Sequence, residues 1–283
     1  MIATMPISEP RQRVMLDTLA PKIARSVDLL QKHCPPEGYY LAFSGGKDSC
    51  VIKRLAEMAS VAFDAHYAKT TIDPPELVKF IREFHPGVEW QIPDRSMMRA
   101  IIEAPSGPPT RQARWCCEDY KESHSRGRSL VLGVRAAESP RRAKTWRELS
   151  EGRNGEPAIC PIVYWSNTDV WEFIRRESIP YCKLYDEGFT RLGCIGCPLA
   201  SKKQRDKDFA RWPGFERIWR KAIIANWEKW HDVPNTKTGK PRFHARFTSG
   251  QDMWEWWRRG TVAKPITDGC QSELLWTNAD WDE

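Results

Sequence analysis

With 283 residues, 41% of them hydrophobic, the chain is long enough to bury a core without disulfide staples, and it fits one large domain or one domain with an appendage. No stretch approaches the roughly 18 apolar residues of a membrane span, and Met1-Ile2-Ala3-Thr4-Met5-Pro6 lacks the regions of a signal peptide, so a soluble, cytoplasmic protein is expected. The net charge is +7, concentrated in residues 201–260, where 15 Lys and Arg face 7 Asp and Glu and leave the remainder near −1; this basic quarter suggests a nearby polyanion or a solvated helical face.

From the N-terminus, Leu16, Leu19, Ile23, Val27 and Leu30 recur at helical spacing and predict a helix over residues 10–33, ended by Cys34-Pro35-Pro36-Glu37-Gly38. Tyr39 to Phe43 reads as a short buried strand, followed by two glycines and a helix over 49–60. Further strands are expected at 61–67, 88–92 and 129–134, with helices at 75–84 and 96–103 between them. Strands alternating with helices imply a parallel sheet with right-handed crossovers, a doubly wound α/β domain whose ligand crevice lies at the carboxyl ends of its strands. We assign it to residues 1–165, with a helical, basic, Trp-rich C-terminal region at 166–283. A helix at 167–177 is expected to be capped by Asn167 or Thr168. Phe215, Trp219, Ile223, Trp227 and Trp230 share one helical face. The chain has 14 tryptophans, and at such spacing they favour a core over a base-stacking platform. The last helix, around 253–259, sets Trp254, Trp256 and Trp257 on more than one side.

Ser44-Gly45-Gly46-Lys47-Asp48-Ser49 stands where a strand hands over to a helix. Glycines let the backbone approach a phosphate, the helix offers unpaired N–H groups and its positive dipole end, and Ser44, Ser49 and Lys47 add donors and charge. The spacing is not that of a Walker A loop. The loop resembles the S-G-G-x-D-S PP-motif of the ATP pyrophosphatase and phosphoadenylyl-sulfate (PAPS) reductase superfamily. That resemblance implies the adenine nucleotide alpha hydrolase-like fold with a nucleotide at Ser44, Gly45, Gly46, Lys47, Asp48 and Ser49.

Nine cysteines cannot all pair, and a reducing cytosol would keep them free. Cys116-Cys117 and Cys194-x-x-Cys197 make four thiolates, a number that suits zinc or a 4Fe–4S cluster, and spacing does not choose. The set is similar to the cluster signature of adenylyl-sulfate reductases, and that resemblance implies a 4Fe–4S cluster beside the nucleotide. Cys34, Cys50, Cys160 and Cys182 are expected to be buried and inert, while Cys270 is a candidate mobile nucleophile. The six histidines show no metal-binding spacing, so no histidine-ligated metal is expected.

Gly133-Val134-Arg135-Ala136-Ala137-Glu138-Ser139 resembles the superfamily's G-x-R-x-x-E-S segment, whose arginine meets phosphate or sulfate; Arg141, Arg142 and Lys144 would continue a positive lining. Asp73 is either a ribose or metal contact or a helix cap. Lys47, Asp48 and Arg135 are the expected catalytic residues.

Three functions follow. The first is adenylyl transfer from Mg²⁺-ATP in sulfur insertion, with nucleic acid as the favoured acceptor. A cluster together with a PP-loop resembles sulfur-inserting enzymes, including the ATP pyrophosphatase component of DNA phosphorothioation systems, and implies a cysteine desulfurase or other sulfur donor. The second is reductive cleavage of adenylyl sulfate or PAPS to sulfite. It is weakened by the lack of a Glu-Cys-Gly-Leu-His segment, to which Asp268-Gly269-Cys270-Gln271-Ser272 is the nearest approach. The third is a non-catalytic nucleotide or nucleic-acid binding module. No membrane partner is expected, a second copy of the chain is admitted as one, and oligomeric state is not legible.

Overall fold

The computed structural model describes residues 17–260, and within them the Asp17 carboxylate accepts hydrogen bonds from the backbone N–H groups of Leu19 (3.1 Å) and Ala20 (3.0 Å). With Pro21 in the first turn, helix α1 therefore runs Ala20–Lys32; residues 17–19 are not part of it, and the expected start at residue 10 lies outside the described residues.

The chain then alternates as the apolar pattern requires. β1 (Tyr39–Ala42) leads to α2 (Lys47–Met58), β2 (Phe63–Ala68) to α3 (Pro75–Phe84), and β3 (Glu89–Gln91) to α4 (Met97–Glu103). A single turn, α5 (Trp115–Cys117), runs into a π-helical turn (Glu118–Glu122). There follow β4 (Leu130–Val131), α6 (Pro140–Thr145), β5 (Leu149–Glu151), β6 (Pro157–Ile159), α7 (Asn167–Arg176), α8 (Lys202–Arg211), α9 (Pro213–Trp230) and α10 (Gly250–Arg259).

The six strands lie in the order β3-β2-β1-β4-β6-β5. Five are parallel, and β5 alone runs antiparallel, pairing Leu149 with Ile159 and Glu151 with Pro157. The fold is thus the expected α/β sheet with an antiparallel edge, a hairpin the sequence reading did not foresee. β1 and β4 are neighbours, yet β2 lies on the far side of one and β6 on the far side of the other. The chain order reverses between them, which opens a crevice beyond their carboxyl ends. β4 is shorter than the strand expected at 129–134, although Leu132 N–H still donates to the Ile159 carbonyl (2.9 Å).

Ser166, not Asn167 or Thr168, caps α7. Its hydroxyl accepts from Asp169 N–H (3.1 Å), and the Asp169 carboxylate accepts in return from Ser166 N–H (2.7 Å), a reciprocal box that neither expected residue forms. α8 was not foreseen because its sequence, KKQRDKDFAR, is almost entirely polar. One apolar cluster joins the sheet to the C-terminal helices. Trp219 is fully buried and stacks on Trp257 at 4.5 Å, and Trp254 is buried as well, whereas Trp256 is half-buried.

Trp219→Ala is expected to lower the unfolding free energy by about 3–5 kcal/mol, read from the urea midpoint at unchanged slope.

Candidate functional site

The turn from β1 into α2 is built around Gly45. Its φ of +72° belongs to the left-handed region, and a Cβ there would lie 2.7 Å from Ile81 and 2.8 Å from Leu77 on α3. Only glycine lets α3 press the loop down so that the N-terminus of α2 opens upward. Ser49 Oγ donates to the Gly46 carbonyl (2.8 Å) and lies 3.3 Å from Ser44 Oγ, closing the loop on itself.

Lys47 and Arg135 are both almost wholly buried, at 4% and 3% exposure, and both reach Asp48. Arg135, arriving from β4, donates through Nε to Asp48 Oδ1 (2.6 Å), and Lys47 Nζ lies 3.2 Å from Asp48 Oδ2. One carboxylate therefore holds two cations of opposite halves of the sheet at the helix N-terminus. Arg142 is turned to Glu138, and Arg141 and Lys144 are exposed on α6, so the positive lining expected beyond Arg135 does not join this group.

Two contacts here were not read from the sequence. The Tyr185 hydroxyl accepts the Lys47 backbone N–H (2.9 Å), and the Thr190 carbonyl accepts from Lys47 Nζ (3.4 Å). Both belong to the segment between α7 and α8 that carries Cys194. Nothing in their local pattern marks them, because their role arises from a contact 138 residues away along the chain.

The end of β2 joins this loop region to the cysteines. Asp73 accepts from Thr70 N–H (2.8 Å), so it closes this turn and does not cap α3, whose N-cap position is Pro74. Thr70 Oγ1 in turn accepts from the Cys194 thiol (3.4 Å), and Ile195 N–H donates to the Ile72 carbonyl (2.8 Å). Gly196, at φ +73°, lets the C-x-x-C turn lie against Phe209 and Trp219, where a Cβ would come within 2.6 Å of the Phe209 ring. The Trp219 indole N–H donates to the Ile195 carbonyl (3.0 Å) and fixes the turn from beneath.

Cys116, Cys117, Cys194 and Cys197 are all half-buried free thiols, and the charges of Cys117, Cys194 and Cys197 act together on Cys116. A hydrogen bond from the Cys116 thiol, helped by Arg114 and Lys121, draws Cys117 down to about 5, while Cys116 is pushed up. Burial lifts Cys194 to about 11 against the pull of Lys121. Lys121 is itself raised by Cys194, with further contributions from Asp73, Cys117 and Cys197. It stands four residues after Cys117, one helical turn on, and that spacing was the signal that would have found it. Among the described residues no group of three or more His, Cys, Asp or Glu side chains is gathered for a single metal ion.

Cys50, Cys160 and Cys182 are buried in the core, and burial pushes Cys50 and Cys160 up to about 12. Cys34 is only half-buried, contrary to expectation, because it sits in the exposed turn after α1. Cys270 lies outside the described residues.

Residues 38–200 match the phosphoadenosine phosphosulfate reductase domain, a span that contains the whole sheet, the phosphate loop and all four cysteines. The chain belongs to this family. Adenosine 5'-phosphosulfate reductase of Oceanobacillus iheyensis is 27% identical over 177 residues, 59% of this chain and 72% of that protein. An uncharacterized protein of Methanocaldococcus jannaschii is 29% identical over 231 residues, 76% of this chain but 45% of that protein, so the chain spans under half of this relative's length. Among solved structures, PAPS reductase from Candida auris aligns with a TM-score of 0.49 at 14% identity, covering 69% of this chain and 99% of that one. α8, α9 and α10 lie beyond the matched family domain.

Gly45→Ala is expected to weaken ATP binding about tenfold or more, since a strained left-handed residue costs about 1–3 kcal/mol and the methyl would collide with Leu77 and Ile81. Isothermal titration checks this, and unchanged ATP affinity would show that the loop is not the phosphate seat.

Proposed function

We propose that the protein is a PP-loop ATP pyrophosphatase that activates an acceptor oxygen for replacement by sulfur, with a 4Fe–4S cluster held by Cys116, Cys117, Cys194 and Cys197. The observation that carries the reading is the intact Ser44–Ser49 loop at the N-terminus of α2, with Lys47 and Arg135 drawn together on Asp48.

In this reading the β- and γ-phosphates of Mg²⁺-ATP sit against the opening N–H groups of α2, where the helix dipole favours negative charge. The acceptor oxygen attacks the α-phosphate and pyrophosphate departs, leaving an acceptor–O–AMP ester. Lys47 and Arg135 neutralise the charge that develops on the departing pyrophosphate, and Asp48 holds both cations in place before the substrate arrives, so that little reorganisation is needed. A sulfide-level donor then displaces AMP from the ester directly; a persulfide from a cysteine desulfurase displaces AMP to leave an acceptor–S–S–R disulfide, which an external dithiol reduces to the thio product and R–SH.

The donor chemistry suits an iron–sulfur cluster: the charges of Cys117, Cys194 and Cys197 all act on Cys116, Arg114 and Lys121 supply positive charge beside Cys117, and two buried N–H groups next to Cys116 in the chain, Arg114 Nε and Trp115 Nε1, have no partner among the described residues. When bound, such a cluster supplies a site for holding or transferring sulfur close to the nucleotide. The hydrogen bonds of Cys194 to Thr70 and of Ile195 to Ile72, which hold the cysteine turn against the end of β2, support this reading.

A second reading, reductive cleavage of adenylyl sulfate or PAPS to sulfite, is favoured by the family match and by the similarity to adenosine 5'-phosphosulfate reductase.

Anaerobically purified protein incubated separately with ATP, adenylyl sulfate and PAPS distinguishes the two. The proposal predicts pyrophosphate from ATP and no sulfite; sulfite without ATP turnover would replace it by the reductase reading. Substituting Cys116 or Cys197 by Ser is expected to abolish absorbance near ~400 nm from the cluster while leaving ATP affinity within about twofold, because none of the four thiols touches the loop donors.

A further inference from the structure

Outside the phosphate loop and the cysteines, the most distinctive feature of the molecule is the outer side of α9 and the chain that follows it. Residues 217–246 contain eight Lys and Arg against two Asp and Glu. Arg217, Arg220 and Lys221, at helical spacings of three and four, share the exposed face of α9, and Lys229 lies exposed at its end. The opposite face, with Trp219, Ala222, Ile223 and Asn226, is buried.

Beyond α9, Asn235 closes a tight loop by accepting Gly239 N–H (2.7 Å) at its carbonyl and Lys237 N–H (2.9 Å) at its side chain, and by donating its own N–H to Lys240 O (2.9 Å). The loop presents exposed Lys237 and Lys240 at its tip. Beside it, Trp230 carries Arg242 over its ring at 5.1 Å and Lys229 at 5.4 Å.

On the neighbouring helices several of the cations are compensated, whereas among the described residues of this face none is. On α8 and α10, Lys202 pairs with Asp206, Arg258 with Asp206 and Glu216, and Arg259 with Glu255; Arg211 pairs with Glu76 and Glu187. Among the described residues, none of the basic residues named on α9 or its following loop is in an ion pair. On its buried side, Trp219 near the start of α9 donates to the Ile195 carbonyl of the C-x-x-C turn, and Trp230 lies eleven positions further on, roughly 16 Å at 1.5 Å per residue. That is about five nucleotide steps at 3.4 Å each.

We infer that the exposed face of α9 and the Asn235–Lys240 loop form a docking track for a nucleic-acid backbone. As the identity of the acceptor, this rests on the proposed ATP-dependent sulfur chemistry; as a binding surface, it does not. Phosphates spaced along a strand match cations spaced along a helix, and Trp230, with Arg242 and Lys229 over its ring, holds two further cations at the end of the row. α9 lies outside the matched family domain.

The test is fluorescence anisotropy of labelled 20-nucleotide RNA, single-stranded DNA and duplex DNA with the full chain, the exposed triple variant Lys221→Glu/Lys237→Glu/Lys240→Glu, and the milder triple Gln variant. Poly-glutamate serves as competitor, and pyrophosphate release from ATP is measured on the same preparations without nucleic acid. The inference predicts nucleic-acid binding weakened about tenfold or more in the Glu variant, and a slope of log K against log salt reduced by about two, as three lost single-strand phosphate contacts require. The Gln variant should fall between, Lys32→Glu on α1 should bind as wild type, and pyrophosphate release should be unchanged throughout. The RNA, single-strand and duplex arms identify the form of nucleic acid preferred.

Equal binding by wild type and both triple variants would overturn the inference, as would poly-glutamate competing as well as nucleic acid, which would identify an acidic protein as the partner. Triple-variant loss of binding in a chain that does not turn over ATP would leave the track standing and remove the proposed chemistry. ATP turnover with no nucleic-acid binding would do the reverse.

Discussion

Asp48 holds two positive charges at once, and much of the candidate site depends on that arrangement. Arg135 and Lys47 are each nearly excluded from water, a position that a lone cation does not hold cheaply. The Asp48 carboxylate makes both burials tolerable, at 2.6 Å from Arg135 Nε and 3.2 Å from Lys47 Nζ. Because Arg135 arrives from β4 and Lys47 from the end of β1, the same carboxylate ties together the two halves of the sheet where the strand order reverses. An anion entering this point meets charge that is already positioned, which is the arrangement expected for a group that neutralises a departing phosphate.

The second constraint runs through the end of β2. Asp73 closes the turn at Thr70, Thr70 receives the Cys194 thiol, and Ile72 receives Ile195 N–H, so the cysteine turn is anchored to the same sheet that carries the phosphate loop. From below, Trp219 fixes Ile195, and Gly196 allows the close approach. The segment leading into this turn also sends Tyr185 and Thr190 to Lys47. The cysteines and the phosphate loop are thus linked by hydrogen bonds through two independent routes. The C-terminal helices supply the floor for one of them, which explains why so many tryptophans are spent on packing.

What could be read from the sequence followed how local its cause was. The strand–loop–helix around Ser44 to Ser49 was legible because glycine, serine and lysine act there through their own backbone and their immediate neighbours. α3 was legible to the residue, since Pro75 opens it and its apolar period is unbroken. By contrast, Ser166 displaced Asn167 as cap because the reciprocal partner, Asp169, lies at the one spacing that serves it. α8 was hidden by its polar composition, and β5 and β6 by their shortness, as three-residue strands carry no readable period. The four cysteines were conspicuous, but Thr70, Tyr185 and Thr190 were not, since each is defined by residues far along the chain, and Lys121, though one turn after Cys117, is acted on most strongly by the distant Cys194. Arg142 was expected to face phosphate and instead faces Glu138, four residues before it, a pairing the sequence did contain.

Most directly testable is whether Lys47 and Arg135 act on a nucleotide as one unit through Asp48. A double-mutant cycle of Lys47→Gln and Arg135→Gln, read as ATP affinity by isothermal titration, measures this. Each single change is expected to weaken ATP by about tenfold or more, and the double change by clearly less than the product, with a coupling on the order of 1 kcal/mol or above. Losses that simply multiply, or a wild-type chain that does not bind ATP, would contradict it.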